Sequence, residues 1–130
     1  MNKQTVLDDL SSAQLQNLVV SVLEDMKAID IQDLDVTGFS PLTDFFVIAS
    51  GNSTRHVKSM AEKLIVTAKK AGNKALGVEG LPQGEWVLVD LNDVIVHLML
   101  PQTRAFYNLE KLWEASVGQR STTTTATIPA

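Results

Sequence analysis

Between a charged start and a glycine stop, residues 43–51 read TDFFVIASG. Phe45, Phe46, Val47, Ile48 and Ala49 run unbroken, with no polar residue between them. A strand of that kind carries apolar side chains on both faces and must be covered on both. The run therefore predicts a central strand in a layered fold of helices packed on a sheet. It passes at once into Asn52, Ser53, Thr54, Arg55 and His56, a polar turn opening a helical pattern. Phosphate-binding loops are also built as strand, glycine and helix start, so this junction is the first place to look for chemistry.

Upstream, Ser11 and Ser12 offer N-cap oxygens, and Leu15, Leu18, Val19, Val22, Leu23 and Met26 recur at helical spacing. The pattern predicts a helix over 12–28 with one apolar stripe. Ile31, Leu34 and Val36 place a short strand within 30–38, and Pro41 marks a loop after it. Beyond the strand at 44–50, Val57, Met60, Ala61, Leu64, Ile65 and Ala68 predict a helix over 54–71, with Gly72 at its C-terminal cap. A short strand over 74–78 and the polar loop EGLPQGE lead to two strong strand runs, EWVLVDL and VIVHLML. Asn92 and Asp93 between them both tolerate positive φ, which predicts a tight hairpin. A last helix is expected over 103–115, with Phe106, Leu109, Leu112 and Trp113 inward.

The tail GQRSTTTTATIPA has no periodicity and reads as disordered. The expected organisation is one domain over 1–115 and a disordered tail over 116–130. The fold class is α/β, an α+β arrangement of a five-stranded mixed sheet with about three helices. So few helices cannot cover both faces of such a sheet. Part of its surface should meet solvent or a partner.

Charge excludes one broad class. Fifteen acids against 11 Lys and Arg give a net charge of −4. Phosphate backbones are bound by clustered cations that release counterions. Here the basic residues read as scattered, so little direct nucleic-acid contact is expected. The absence of cysteine removes disulfides and thiolate metal sites. No apolar run approaches the roughly 20 residues of a membrane span. The start MNKQTVLDDL lacks the apolar core of a signal peptide. A cytoplasmic location and no membrane partner are the expectations.

The candidate chemistry is thin. The Gly51-Asn52-Ser53 turn holds one glycine and no lysine, and Ser53 is accounted for as an N-cap. Asp33 and Asp35 stand two apart on a strand and share a face, the D-x-D geometry that holds Mg²⁺ in nucleotidyltransferases. Solvated acids on an exposed strand give the same pattern. A transferase would place its Gly-Ser turn before the paired acids, whereas this turn follows them. His56 and His97 are the two histidines, and nothing brings them together for zinc. Neither stands in a nucleophile-elbow pattern with Ser50 or Ser53. No catalytic residue, metal ligand or cofactor is assigned.

The hairpin says more. With residues 91 and 94 flanking the turn, Val87, Val89, Leu91, Val94, Val96 and Leu98 form one aliphatic face, which must be core. Trp86, Leu88, Asp90, Ile95, His97 and Met99 form the other. Such a mixture suits a protein-binding surface anchored by Trp86, and a covering helix is the competing reading. Tyr107 lies one position off the apolar stripe of the last helix, at its rim. Arg104, at the start of that helix, would add a charged contact.

Three segments, TDFFVIASGNSTRHV, the GVEG of 77–80 and EWVLVDLNDVIVHLMLPQTRAFYNLEKLW, resemble the ribosomal silencing factor (RsfS/Iojap) family. The likeness runs over residues 12–114. It implies a nucleotidyltransferase-like topology without the catalytic motif, and hence a junction after the central strand that is scaffold. It implies binding to the large ribosomal subunit through its protein L-fourteen, where the small subunit would dock. Joining is then blocked, and translation falls when nutrients are short. Carried over by position, the family's contacts fall on Trp86, Leu91 and Tyr107, with Asp90, Asp93 and Arg104 in the same segment. The family's hairpin often has Gly where this chain has Asn92. Alternation puts Leu91 on the core side, but the resemblance puts it beside Trp86 at the hairpin tip, and there the motif outweighs the register. The rival from another class is a metal-dependent nucleotidyltransferase using Asp33 and Asp35. A third reading is a homodimer pairing through the same hairpin surface.

Overall fold

Strand β2 (Phe45–Ser50) lies inside the sheet, with five of its six residues buried. The structure is a computed structural model describing residues 10–38, 40–41 and 43–108. Around β2, in chain order, stand α1 (Ser12–Asp25), β1 (Ile29–Asp35), α2 (Thr54–Lys70), β3 (Gly77–Glu79), β4 (Trp86–Asp90), β5 (Val94–Met99) and α3 (Pro101–Tyr107). The five strands form one sheet in the order β1-β2-β5-β4-β3. β2 and β5 run parallel, from Phe45 opposite Val94 to Ser50 opposite Met99, and the other pairings are antiparallel. This is the α/β class with a mixed five-stranded sheet and three helices.

The hairpin register follows the alternation. Trp86 faces Met99, Leu88 faces His97 and Asp90 faces Ile95. Asn92 alone takes a left-handed φ, 74°, and the Asp93 N–H closes a three-residue turn on the Leu91 carbonyl at 3.0 Å. Asn supplies here the conformation for which glycine is otherwise used. Leu91 sits on the aliphatic face at 3% exposure, as alternation requires. That face packs against α1 and α2, joining Val47, Ala49, Val87, Val89, Val96 and Leu98 to Leu15, Val19, Val57 and Leu64. The opposite face holds a smaller cluster of Val36, Phe46, Ile48 and Met99, with Leu34, Trp86 and Ile95 against it.

The helix ends show where sequence signals act. Ser11 caps α1 in a reciprocal box, accepting from the Gln14 N–H while its own N–H donates to Gln14 Oε1. Both long helices stop in the same motif. Gly72, at φ 89°, ends α2, with Asn73 N–H on the Ala68 carbonyl and Gly72 N–H on the Lys69 carbonyl. Lys27, at φ 64°, does the same for α1, with Ala28 N–H on Leu23 and its own N–H on Glu24. A lysine there is no signal in the sequence, and the helix expected over 12–28 stops at Asp25.

Other boundaries also move. β1 starts at Ile29 and bulges between Ile29 and Gln32, where Asp30 takes φ 53°. β3 covers Gly77–Glu79 where 74–78 was expected. The last helix opens on Pro101 at its first position, not at residue 103, because proline fits a first turn that has no N–H to bond. Asn108, at φ 49°, caps it. The expected inward Leu109, Leu112 and Trp113, and the tail over 116–130, lie outside the described residues. Phe106 is corrected outright, since it stands 79% exposed.

Gly51 is fixed by packing. A Cβ there would lie 2.8 Å from Val57 Cγ2, 3.0 Å from Met60 Cε and 3.1 Å from the Val57 backbone nitrogen. The glycine lets α2 start close over the end of β2. Gly51→Ala should therefore cost about 1–3 kcal/mol, the range for overfilling a packed site. An unchanged urea midpoint would show that α2 can move aside freely.

Candidate functional site

The antiparallel hairpin puts Trp86 and His97 diagonally across one sheet face. Trp86 Nε1–H donates to His97 Nδ1 at 2.9 Å. The far side of His97 packs on Phe46, with ring centroids 4.6 Å apart. On the outer side, the Trp86 ring meets that of Tyr107 at 4.8 Å, and Tyr107 meets Phe106 edge-on at 4.9 Å and 89°. A file of rings thus runs from the buried Phe46 through His97 and Trp86 to the surface. Phe106 and Tyr107 are 79% and 54% exposed, and Trp86 is half-buried. Together with Glu85, Gln102 and Thr103, these three rings line an open pocket of about 420 Å³.

Indole N–H can only donate, so Nδ1 of His97 must accept and the ring proton sits on Nε2. His97 is 7% exposed, and its burial drives the pKa down from 6.5 to about 4. The imidazole is held neutral and serves as an acceptor.

The other sequence candidates divide by position. Asp90 stands on the Trp86 face and accepts from the Asn92 N–H at 2.8 Å. Asp93 is partly buried in the turn, where its carbonyl accepts from the N–H groups of Asp44 and Phe45, both at 3.0 Å. Leu91 lies at the hairpin tip but points into the core, so its side chain offers the free protein no surface. Arg104 is also turned inward, at 6% exposure, donating to Ser50 Oγ at 3.0 Å and towards the Ile29 carbonyl at 3.5 Å. It ties α3 to the ends of β1 and β2. Arg104 and Phe106 thus exchange the roles expected of them. The sequence reading missed Phe106, Glu85, Gln102 and Thr103 as neighbours of Trp86. A helix opening at Pro101 is the signal that would have placed Gln102, Thr103 and Phe106 together.

The acidic pair and the junction are engaged in structure. Asp33 accepts from Gln16 Nε2, and burial outweighs that bond to raise its pKa. Asp35 is held below the usual carboxylate range by the side-chain and backbone donors of Thr37. Among the described residues no three His, Cys, Asp or Glu groups gather as a metal cluster. At the junction the Gly51 N–H donates to the Met99 carbonyl at 3.1 Å and the Asn52 N–H to His56 Nδ1 at 2.9 Å. Ser53 Oγ takes the His56 N–H at 3.1 Å, and His56 Nε2 closes the set on the Met26 carbonyl at 2.8 Å. The N–H groups of Gly51, Asn52 and His56 are thus spent on the fold.

The basic residues are less scattered in space than along the chain. Arg55, Lys58, Lys63, Lys69 and Lys70 share one arc of α2, about 140° wide at about 3.6 residues per turn, with Glu62 the one acid among them. That arc lies behind the sheet, on the side away from Trp86.

Residues 9–129 match the family described as "Ribosomal silencing factor during starvation". The chain belongs to the ribosomal silencing factor family. A Zymomonas mobilis protein named ribosomal silencing factor RsfS is 44% identical over 99 residues, covering 76% of this chain and 74% of that one. A crystal structure of a Chromobacterium violaceum protein superposes with a TM-score of 0.79 at 41% identity, over 81% of this chain and 88% of that one. A mouse relative named "Mitochondrial assembly of ribosomal large subunit protein 1" is 39% identical over 75% of this chain and 44% of its own length. No helix among the described residues of this family member is long and apolar enough to cross a membrane.

The neutral His97 gives a pH signature. Its folded pKa lies below the unfolded value, so its stabilisation is complete above pH ~6.5 and is lost as pH falls towards ~4. Between pH 7.5 and 5.0 the unfolded chain takes up the extra proton, which should cost about 2 kcal/mol at about 1.4 kcal/mol per pKa unit. His97→Asn keeps an acceptor but cannot titrate, and its urea-unfolding stability should fall by about that much less than wild type over the same window. Equal pH dependence in both proteins would mean that folding leaves the proton affinity of His97 unchanged.

Proposed function

We propose that this protein binds the large ribosomal subunit through ribosomal protein L-fourteen and sterically blocks docking of the small subunit. Translation is then repressed when nutrients are limiting. The observation that carries this reading is the exposed aromatic surface of Trp86, Phe106 and Tyr107 in a chain of the silencing-factor family. Soluble domains rarely leave adjoining large rings in water without a use, and Trp and Tyr are the residues that anchor protein interfaces. The mouse relative's name supports the large subunit as the partner. Asp90 sits at the hairpin end of the same face and Asp93 in the adjoining turn. Arg104 and Leu91 act behind the surface, one holding α3 and the other holding the hairpin tip.

Co-sedimentation with separated subunits tests the reading. The protein should pellet with large subunits and not with small ones, and should lower the fraction of joined ribosomes when added first. Equal pelleting with both subunits would count decisively against it.

Two sets of variants locate the contact. Trp86→Ala should cost about 2 kcal/mol or more of binding, as interface anchors do. Phe106→Ala and Tyr107→Ala should weaken binding with thermal midpoints close to wild type, because both rings are exposed. Val89→Ala, a fully buried position, should weaken folding while its folded fraction still binds. Intact binding by both helix variants would move the interface elsewhere.

Salt adds a separate check. Among the described residues the aromatic surface carries acids and no clustered cations, so affinity should fall far less than the ~10³-fold expected for six or more phosphate contacts between 50 and 200 mM salt. A loss that steep would make ribosomal RNA the main partner.

A further inference from the structure

Beyond its packing on the smaller apolar cluster, the Trp86 indole has two specific partners. One is His97, whose Nδ1 accepts from Nε1 at 2.9 Å, and the other is the Tyr107 ring at 4.8 Å. Tyr107 is 54% exposed at the end of a seven-residue helix, a weak support by itself. His97 is the firm one. It lies on β5 between Ile48 of β2 and Leu88 of β4, with Phe46 stacked on its inner side. A half-buried indole without an inward acceptor would gain by turning about χ2 until its N–H reached water. That turn would change the contact with Tyr107 and reshape the 420 Å³ pocket both rings line.

We propose that His97 is a positioning residue for partner binding: it holds the Trp86 indole in the orientation that the large subunit meets. The assignment rests on the function proposed above and deepens it. The interface residue is Trp86, and His97 acts through it from inside the sheet. The sheet core is thereby coupled to the surface along one hydrogen bond. An anchor ordered before contact binds better than one that must be ordered on contact.

Two substitutions separate positioning from packing. His97→Leu fills the site with an apolar side chain and removes the acceptor, whereas His97→Asn offers an acceptor near the place of Nδ1. Each is compared with wild type by co-sedimentation with large subunits, at a temperature where thermal melts show both variants folded. The Trp86 indole N–H is followed by ¹⁵N NMR, its signal assigned by its loss in Trp86→Phe. His97→Leu should bind about 5–10-fold more weakly, the scale of ordering one large side chain on binding, and its indole N–H should exchange rapidly with water. His97→Asn should restore both the affinity and the slow exchange.

Wild-type affinity in folded His97→Leu would overturn the assignment alone, leaving Trp86 as an anchor that needs no inner support. Binding by His97→Asn as weak as by His97→Leu, with the indole signal restored, would overturn it equally. Failure of wild-type protein to sediment with large subunits would overturn the functional reading and this inference with it.

Discussion

Six parallel residue pairs join β2 to β5 in the middle of the sheet, and the rest of the molecule depends on them. Parallel neighbours cannot be joined by a tight turn. The chain must leave β2, cross the sheet as α2, and come back through β3 and β4 before β5 can lie beside it. That crossing covers one face with Val57, Met60, Ala61 and Leu64. The pairing also delivers His97 beside Ile48 and within reach of Phe46. The β4–β5 hairpin then lays Trp86 diagonally next to His97. A buried apolar strand and a surface aromatic are thus three contacts apart.

Much of this was legible because strand alternation has a period of two. With Asn92 and Asp93 as the turn, a one-residue slip puts Val87, Val89 and Val96 on the wrong face. The register was therefore forced, and with it the burial of Leu91. The resemblance carried Leu91 to an interface by position, but position along a chain does not say where a side chain points. The His97–Trp86 bond was also within reach of the sequence. Given the register, they are diagonal neighbours on one face, and a tryptophan N–H beside a buried histidine has an obvious acceptor. What was missing was the knowledge that His97 is buried. That follows from Phe46 and the strands on either side, none of them local in sequence.

The errors have a common physical source in short or unsignalled elements. Seven residues make barely two turns at about 3.6 residues per turn, so periodicity in α3 cannot tell an inward side from an outward one. Arg104 looked like a surface charge and Phe106 like a core ring. The fold turns Arg104 in because Ser50 Oγ lies within 3.0 Å of its guanidinium, and hydrogen bonding lowers the cost of burying a cation. Lys27 ended α1 as glycine would, at a cost in backbone strain that the Leu23 and Glu24 carbonyls offset. Gly72 announced the same motif in α2. One helix end was readable and the other was not, although the geometry is the same.

The two faces of the sheet divide the work. The side bearing α1 and α2 is closed by aliphatic packing and carries the basic arc of α2 outward. The opposite side holds few buried groups, and its aromatic file opens at Trp86. At the end of β2, where strand, glycine and helix start meet, the backbone N–H groups of Gly51 and Asn52 are consumed by Met99 and His56. An anion entering there would have to displace bonds that seat α2 on the sheet. Both histidines accept through Nδ1, one from a backbone amide and one from an indole. His56 locks the junction as scaffold, whereas His97 holds a residue that reaches the surface. The same side-chain chemistry therefore serves the fold at one site and a binding surface at the other, and what separates them is whether the donor has solvent on its far side.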